Sequence, residues 1–175
     1  LGDWVEAVRK AANDAVSFFL EDTYINAWLR QLSVIDWLLD VKRVDLREVH
    51  SRILQFIVNR DFSEDFSQRI ERLDDKTRFR FYKNFLINKS PTKQQVFRIA
   101  ADKNFLVRAE LLKYLTLFEQ ATQKELLEQF LQDTSATVRL KALYASKPFS
   151  PAFDHKIDAL LSDEAASVRE LSRHL

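Results

Sequence analysis

Three histidines, adjacent carboxylates such as Asp74-Asp75 and Glu64-Asp65, and a block of basic residues are the groups in this 175-residue chain whose types could do chemistry. A metal site needs several His, Cys, Asp or Glu ligands at short, regular spacing. His50, His155 and His174 are scattered, and no second ligand type accompanies them at such spacing. His155 stands with Asp154 and Asp158 near an expected helix start, where solvated capping residues account for the group. Neighbouring carboxylates can divide acid and base roles between them. Asp74-Asp75 and Glu64-Asp65 instead fall at expected helix starts, where the helix macrodipole favours negative charge. A single glycine, Gly2, excludes a phosphate-cradling loop and a serine nucleophile elbow. The chain has no cysteine, so disulfide and thiol chemistry are excluded too. These residues point to no catalytic group, no metal site and no cofactor, and the chain is read as non-enzymatic.

The basic block is the remaining anomaly. Formal net charge is only +1, but it is unevenly spread. Residues 1–75 carry 10 Lys/Arg against 15 Asp/Glu, residues 76–113 carry 10 against 2, and residues 114–175 carry 7 against 9. Lys76, Arg80 and Lys83 fall in a narrow arc on the polar side of one expected helix. Lys89, Lys93, Arg98, Lys103 and Lys113 follow. These eight residues are the candidate partner-binding set. An acidic protein, a phospholipid surface or nucleic acid would be attracted to such a field. Nucleic acid is the weaker candidate, because the chain as a whole is nearly neutral. The competing interpretation is a solvated face balanced by the acidic N-terminal helices.

Helices must position these groups. One glycine and three prolines are too few for the turns of a β or α/β fold, so the composition predicts an all-α protein. Helical periodicity predicts long helices over about 3–20, 24–39 and 46–58. The middle one is apolar on most sides and is expected to be covered by neighbours on more than one face. Asp45 and Glu48 have the spacing of a capping box. Trp4, Trp28 and Trp37 are expected to fill the contact between the first two helices. Shorter A helices follow at about 64–73, 92–101, 122–132 and 152–162, each paired with a B helix at about 75–88, 104–118, 134–146 and 164–175. Pro91 and Pro151 sit where helices begin, a position that tolerates a missing N–H. No apolar run approaches the ~20 residues of a membrane span. The start at Leu1 and the absence of methionine suggest a piece of a longer protein. The compartment is left open, with the cytoplasm the default.

The second half repeats. Asp-x4-Val-Arg occurs at Asp102…Val107-Arg108, at Asp133…Val138-Arg139 and at Asp163…Val168-Arg169. The steps are 31 and 30 residues, the period of a stacked helical repeat. On helix 104–118, Val107, Leu111, Leu112 and Leu115 span an apolar arc of about 140°, and Arg108 lies inside it. Stepping back from Arg108 reaches Arg78, with Phe81, Tyr82 and Phe85 in the apolar places, so a fourth copy is present. An arginine on a packing face needs a partner. Asp102, Asp133 and Asp163 are the expected partners, and each is also placed to cap its B helix. If the arginines instead lie at the rim, they snorkel to water.

This pattern, with Val96, Leu127 and Ile157 each six residues before a turn aspartate, resembles the short HEAT-like repeat family. The resemblance covers residues 61–175. It implies a right-handed α-α superhelix of stacked antiparallel helix pairs, with residues 1–60 packing on or capping it, as one continuous domain. It also implies a scaffold or adaptor that binds a protein partner on its concave or basic surface. Two alternatives stand beside it: a nucleic-acid-binding HEAT-like protein, and an accessory module of a larger membrane-associated or envelope protein. In the last copy Ser172 and Arg173 replace apolar residues, as in a capping repeat or at a truncation point.

Overall fold

The computed structural model describes residues 5–59, 64–150 and 152–175. Among these residues every regular element is helical and no strand occurs. The chain divides into two compact units, Leu1–Lys89 and Ser90–Leu175.

The first unit contains α1 (Glu6–Phe19), α2 (Ile25–Arg30), α3 (Leu32–Asp36), α4 (Arg47–Val58), α5 (Glu64–Glu71) and α6 (Asp75–Asn88). Helix α6 packs against α4 and α3, which is why the unit runs past residue 60 and closes at Lys89. Val49, Ile53, Leu54, Ile57 and Val58 form the buried stripe of α4. They share a core with Leu29, Leu32, Ile35, Phe66, Ile70, Phe81 and Phe85. The Phe81 and Phe85 rings stack with centroids 6.3 Å apart, and Phe66 lies 6.0 Å from Phe81. Asp74 opens α6, accepting from the Thr77 amide at 3.0 Å and from Ser33 Oγ at 2.7 Å.

Three expectations for this unit change. The long helix over 24–39 breaks at Gln31, where φ is −99° and ψ is 6°, into α2 and α3 and then a 3-10 turn at Trp37–Asp40. The break brings Leu29, Leu32 and Ile35 onto one buried side and leaves Val34 exposed. Trp37 is 62% exposed, so it does not fill a helix contact. Trp28 is half-buried, its Nε1 donating to Phe19 O at 2.7 Å, and Trp4 lies outside the described residues. Helix α1 buries none of its residues, and Val8 and Phe18 face solvent. Four of its apolar residues are alanines, which offer little area to bury. The Asp45–Glu48 box does not form, because Arg47 claims both Asp45 oxygens at 2.8 and 3.1 Å.

The second unit contains α7 (Lys93–Ala100), α8 (Phe105–Leu111), α9 (Gln120–Phe130), α10 (Ala136–Ser146), α11 (Asp154–Ala159) and α12 (Ala166–Arg173). A 3-10 turn, Leu112–Leu117, continues α8, and another, Leu160–Ser162, continues α11. Thr92 and Gln95 form a reciprocal capping box at the start of α7, directly after Pro91. Pro151 lies outside the described residues. Each odd helix packs on the next even one, α7 on α8 and α9 on α10, while α12 packs on the turn that continues α11. The pairs also touch each other: α7 meets α9, α8 meets α10, and α10 meets α12. Val96, Leu127 and Ile157, one from each first helix, are buried. Gln129 Nε2 donates to Ala100 O at 3.1 Å, tying α9 to the end of α7.

Candidate functional site

The repeated arginines are structural. Arg108 Nη1 donates to Asp102 O at 2.6 Å, while its Nε and Nη2 grip both oxygens of Asp133 at 2.7 Å each. Arg139 does the same one pair later: Nη1 to Asp133 O at 2.6 Å, Nε and Nη2 to Asp163 at 2.6 and 2.7 Å. Each arginine therefore takes a carbonyl from its own turn and a carboxylate from the next. Bidentate, charge-assisted pairs of this kind are the strong ones. Donation to these carboxylates raises the Arg108 and Arg139 pKa values, and Arg139 holds the Asp163 carboxyl below the usual carboxylate range.

The turn aspartates do not cap the helices as expected. Oδ1 of Asp102, Asp133 and Asp163 accepts from the amide two residues on, Asn104, Ser135 and Ala165, at 2.7, 2.7 and 2.8 Å. These are Asx turns that shape the corner just before each helix. Arg78, the fourth copy, is buried; it donates to Leu73 O at 2.7 Å and to Asp75 at 2.6 Å.

Much of the basic block is already engaged. Lys76 lies 3.5 Å from Asp40, Lys93 lies 2.7 Å from Glu125, and Lys113 lies 2.6 Å from Glu110. The Lys113 pKa is raised by its bond to Glu110. Lys83, Lys89 and Lys103 make no ion pair among the described residues, and Arg98 is half-buried on α7. Lys76, Arg80, Lys83 and Lys89 belong to the first unit, and Lys93, Arg98, Lys103 and Lys113 to the second.

Arg80 has a partner that the sequence did not suggest. Its Nη1 lies 3.0 Å from Asp36 Oδ2 and donates to Asp36 O at 3.3 Å. Asp36 Oδ1 meets His50 Nε2 at 2.9 Å, and both of those side chains are buried. The trio locks α3, α4 and α6 together. Nothing in the spacing of Asp36, His50 and Arg80 reveals it, because the three come from different helices. Elsewhere His174 meets Glu170 at 3.2 Å, and Asp154 accepts from Ser150. No cluster of three potential metal ligands occurs among the described residues. No helix of the described residues is long and apolar enough to cross a membrane.

Among the described residues, two open grooves exceed 300 Å³. One, of about 370 Å³, runs between α8 and α10 in the second unit. Ala109, Leu112 and Ala145 form its floor, and Lys113, Lys141 and Tyr144 its walls. The Lys147 ammonium sits 5.4 Å from the centre of the exposed Tyr144 ring. Glu110, beside these walls, is already paired with Lys113. Lys141 and Lys147 were missed because they lie outside the 76–113 block. Only the packing of α8 on α10 brings Lys141 beside Lys113. The other groove, of about 400 Å³, lies in the first unit and is lined by Leu29, Arg30, Arg69, Arg72 and Leu73. Compared with known protein families, curated proteins and solved structures, the chain gives no match.

Proposed function

We propose that the chain is a non-enzymatic helical-repeat scaffold of the HEAT-like kind, a superhelix of helix pairs, and that it binds a protein partner. The groove between α8 and α10 carries this reading. An apolar floor supplies burial, the main source of affinity. The Lys141 and Lys147 ammonium groups select an acidic segment and speed its approach. Tyr144 offers a rigid aromatic surface of the kind enriched where proteins meet.

The test is co-purification with the full-length protein. Lys141→Glu with Lys147→Glu should remove the bound partner while far-UV circular dichroism stays unchanged. Retention of the partner by that double variant would reject this surface. Lys83→Glu with Lys89→Glu probes the first-unit lysines without touching Arg80, whose loss would disturb the buried Asp36.

The arginine-lined groove of the first unit favours a second reading, nucleic-acid binding. Such binding weakens steeply with salt, by about one power of ten in affinity per tenfold salt for each neutralised phosphate. A gel shift that shows no retardation of RNA or DNA at low salt would exclude it.

A further inference from the structure

One device in the second unit is built three times and completed twice. Nη1 of Arg108, Arg139 and Arg169 donates in each case to the carbonyl six residues earlier, at 2.6 Å. In the first two copies the opposite edge of the guanidinium holds the carboxylate of the next turn. Arg169 has the same anchor, with a further bond from Nη1 to Glu164 O at 2.9 Å. Its Nε and Nη2 meet no carboxylate among the described residues. The fork is half-buried and held in the orientation that binds aspartate in the other two copies.

A second position shows the same contrast. Two residues before the turn aspartate, Ala100 and Leu131 are 0% and 1% exposed, whereas Leu161 is 39% exposed. Gln129 of the following pair donates to Ala100 O at 3.1 Å, and Leu161 is open to solvent. An anchored guanidinium and an uncovered leucine therefore lie at corresponding places on the same edge.

We propose that the edge formed by Arg169 and Leu161 is a docking site for a helix pair that carries an aspartate at its corner. The edge continues the interface by which α10 joins α8 and α12 joins α10. The aspartate would take both Nε and Nη2 of Arg169, and an apolar residue of the incoming first helix would cover Leu161. Glu170 stands where Ala109 and Leu140 stand in the earlier copies, and it is tied to Arg173 and His174 at 3.0 and 3.2 Å. The incoming second helix thus meets a polar α12, and recognition rests on the arginine and the leucine.

Two measurements test this. In the unaltered chain, phenylglyoxal should modify Arg169 at least tenfold faster than Arg108 or Arg139; equal rates would mean that the fork is not open. In the second, residues 146–175 are appended again after Leu175. This puts the second copy of Asp163 24 residues beyond Arg169, the spacing of Arg139 and Asp163. The Arg169 Nε–H resonance should then move to the position shown by Arg139, and its phenylglyoxal rate should fall tenfold or more. Asp→Asn in the appended turn should reverse both changes. An appended segment that stays unfolded, or one that protects Arg169 equally well with asparagine, would overturn the proposal.

Discussion

Replacing Arg139 with alanine should be among the most damaging changes available in the second unit that leaves its apolar core intact. The Arg139 side chain is 14% exposed and that of Asp163 is 6% exposed. The substitution removes two charge-assisted bonds to Asp163 and one to the Asp133 carbonyl. Asp163 would keep only the Ala165 amide, with its charge still mostly buried. Breaking a fully buried ion pair costs about 3–5 kcal/mol, and partial exposure with one surviving bond reduces this to about 2–4 kcal/mol. Arg169→Ala is the matched control. It loses only carbonyl bonds, worth about 1 kcal/mol. A cycle of Arg139→Ala, Asp163→Ala and the double variant should give a coupling of about 1.5–3 kcal/mol.

The assay can separate the two units. Tryptophan occurs only at Trp4, Trp28 and Trp37, so its emission follows the first unit, whereas far-UV circular dichroism follows both. In a urea titration the loss should shift the circular-dichroism transition. If Arg139→Ala costs no more than Arg169→Ala, or if the coupling is below about 0.5 kcal/mol, the carboxylate grip is not a source of stability.

Other outcomes follow from the same geometry. His50→Ala should destabilise the first unit by about 1–3 kcal/mol, visible in tryptophan emission, because Asp36 loses a buried hydrogen-bond partner. Phe130→Ala empties a fully buried site and should cost about 3–5 kcal/mol, seen by circular dichroism. The pH dependence has a definite sign. Burial alone would raise the Asp74 carboxyl, but the bonds from Thr77 and Ser33 hold it at about 2. Arg139 likewise holds Asp163 low. A carboxyl whose folded pKa lies below its unfolded value contributes stability above the unfolded value, ~3.9, and loses it as pH falls through the folded one. Stability should therefore drop between about pH 4 and 2. Asp74→Asn and Asp163→Asn should each flatten that drop, and an unchanged acid limb in both variants would contradict the assignment.

Legibility in the sequence depended on how local each signal was. The all-helical class and most of the helix pairs could be read, because periodic apolar residues and turn chemistry act within a few positions. The site was harder to see. The density of Lys and Arg in residues 76–113 marked a basic block, but their counter-ions Asp40, Glu110 and Glu125 were not foreseen. Two of those acids lie more than 30 positions from the cations they meet. Lys141, Tyr144 and Lys147 carried no signal as a group until α10 was laid against α8.

By itself the sequence determined the 30- and 31-residue period, the helical class and the placement of an arginine on the packing face of each repeat. These follow from short-range periodicity and composition, which need no knowledge of neighbours. Only the tertiary structure decided which aspartate each arginine holds. The fork of Arg108 reaches forward to Asp133, because its own turn offers a backbone carbonyl to the inner nitrogen and the adjoining helix pair brings a carboxylate to the outer edge. Tertiary packing likewise buries Leu131 and leaves Leu161 exposed, a difference that two leucines at equivalent positions do not reveal in sequence.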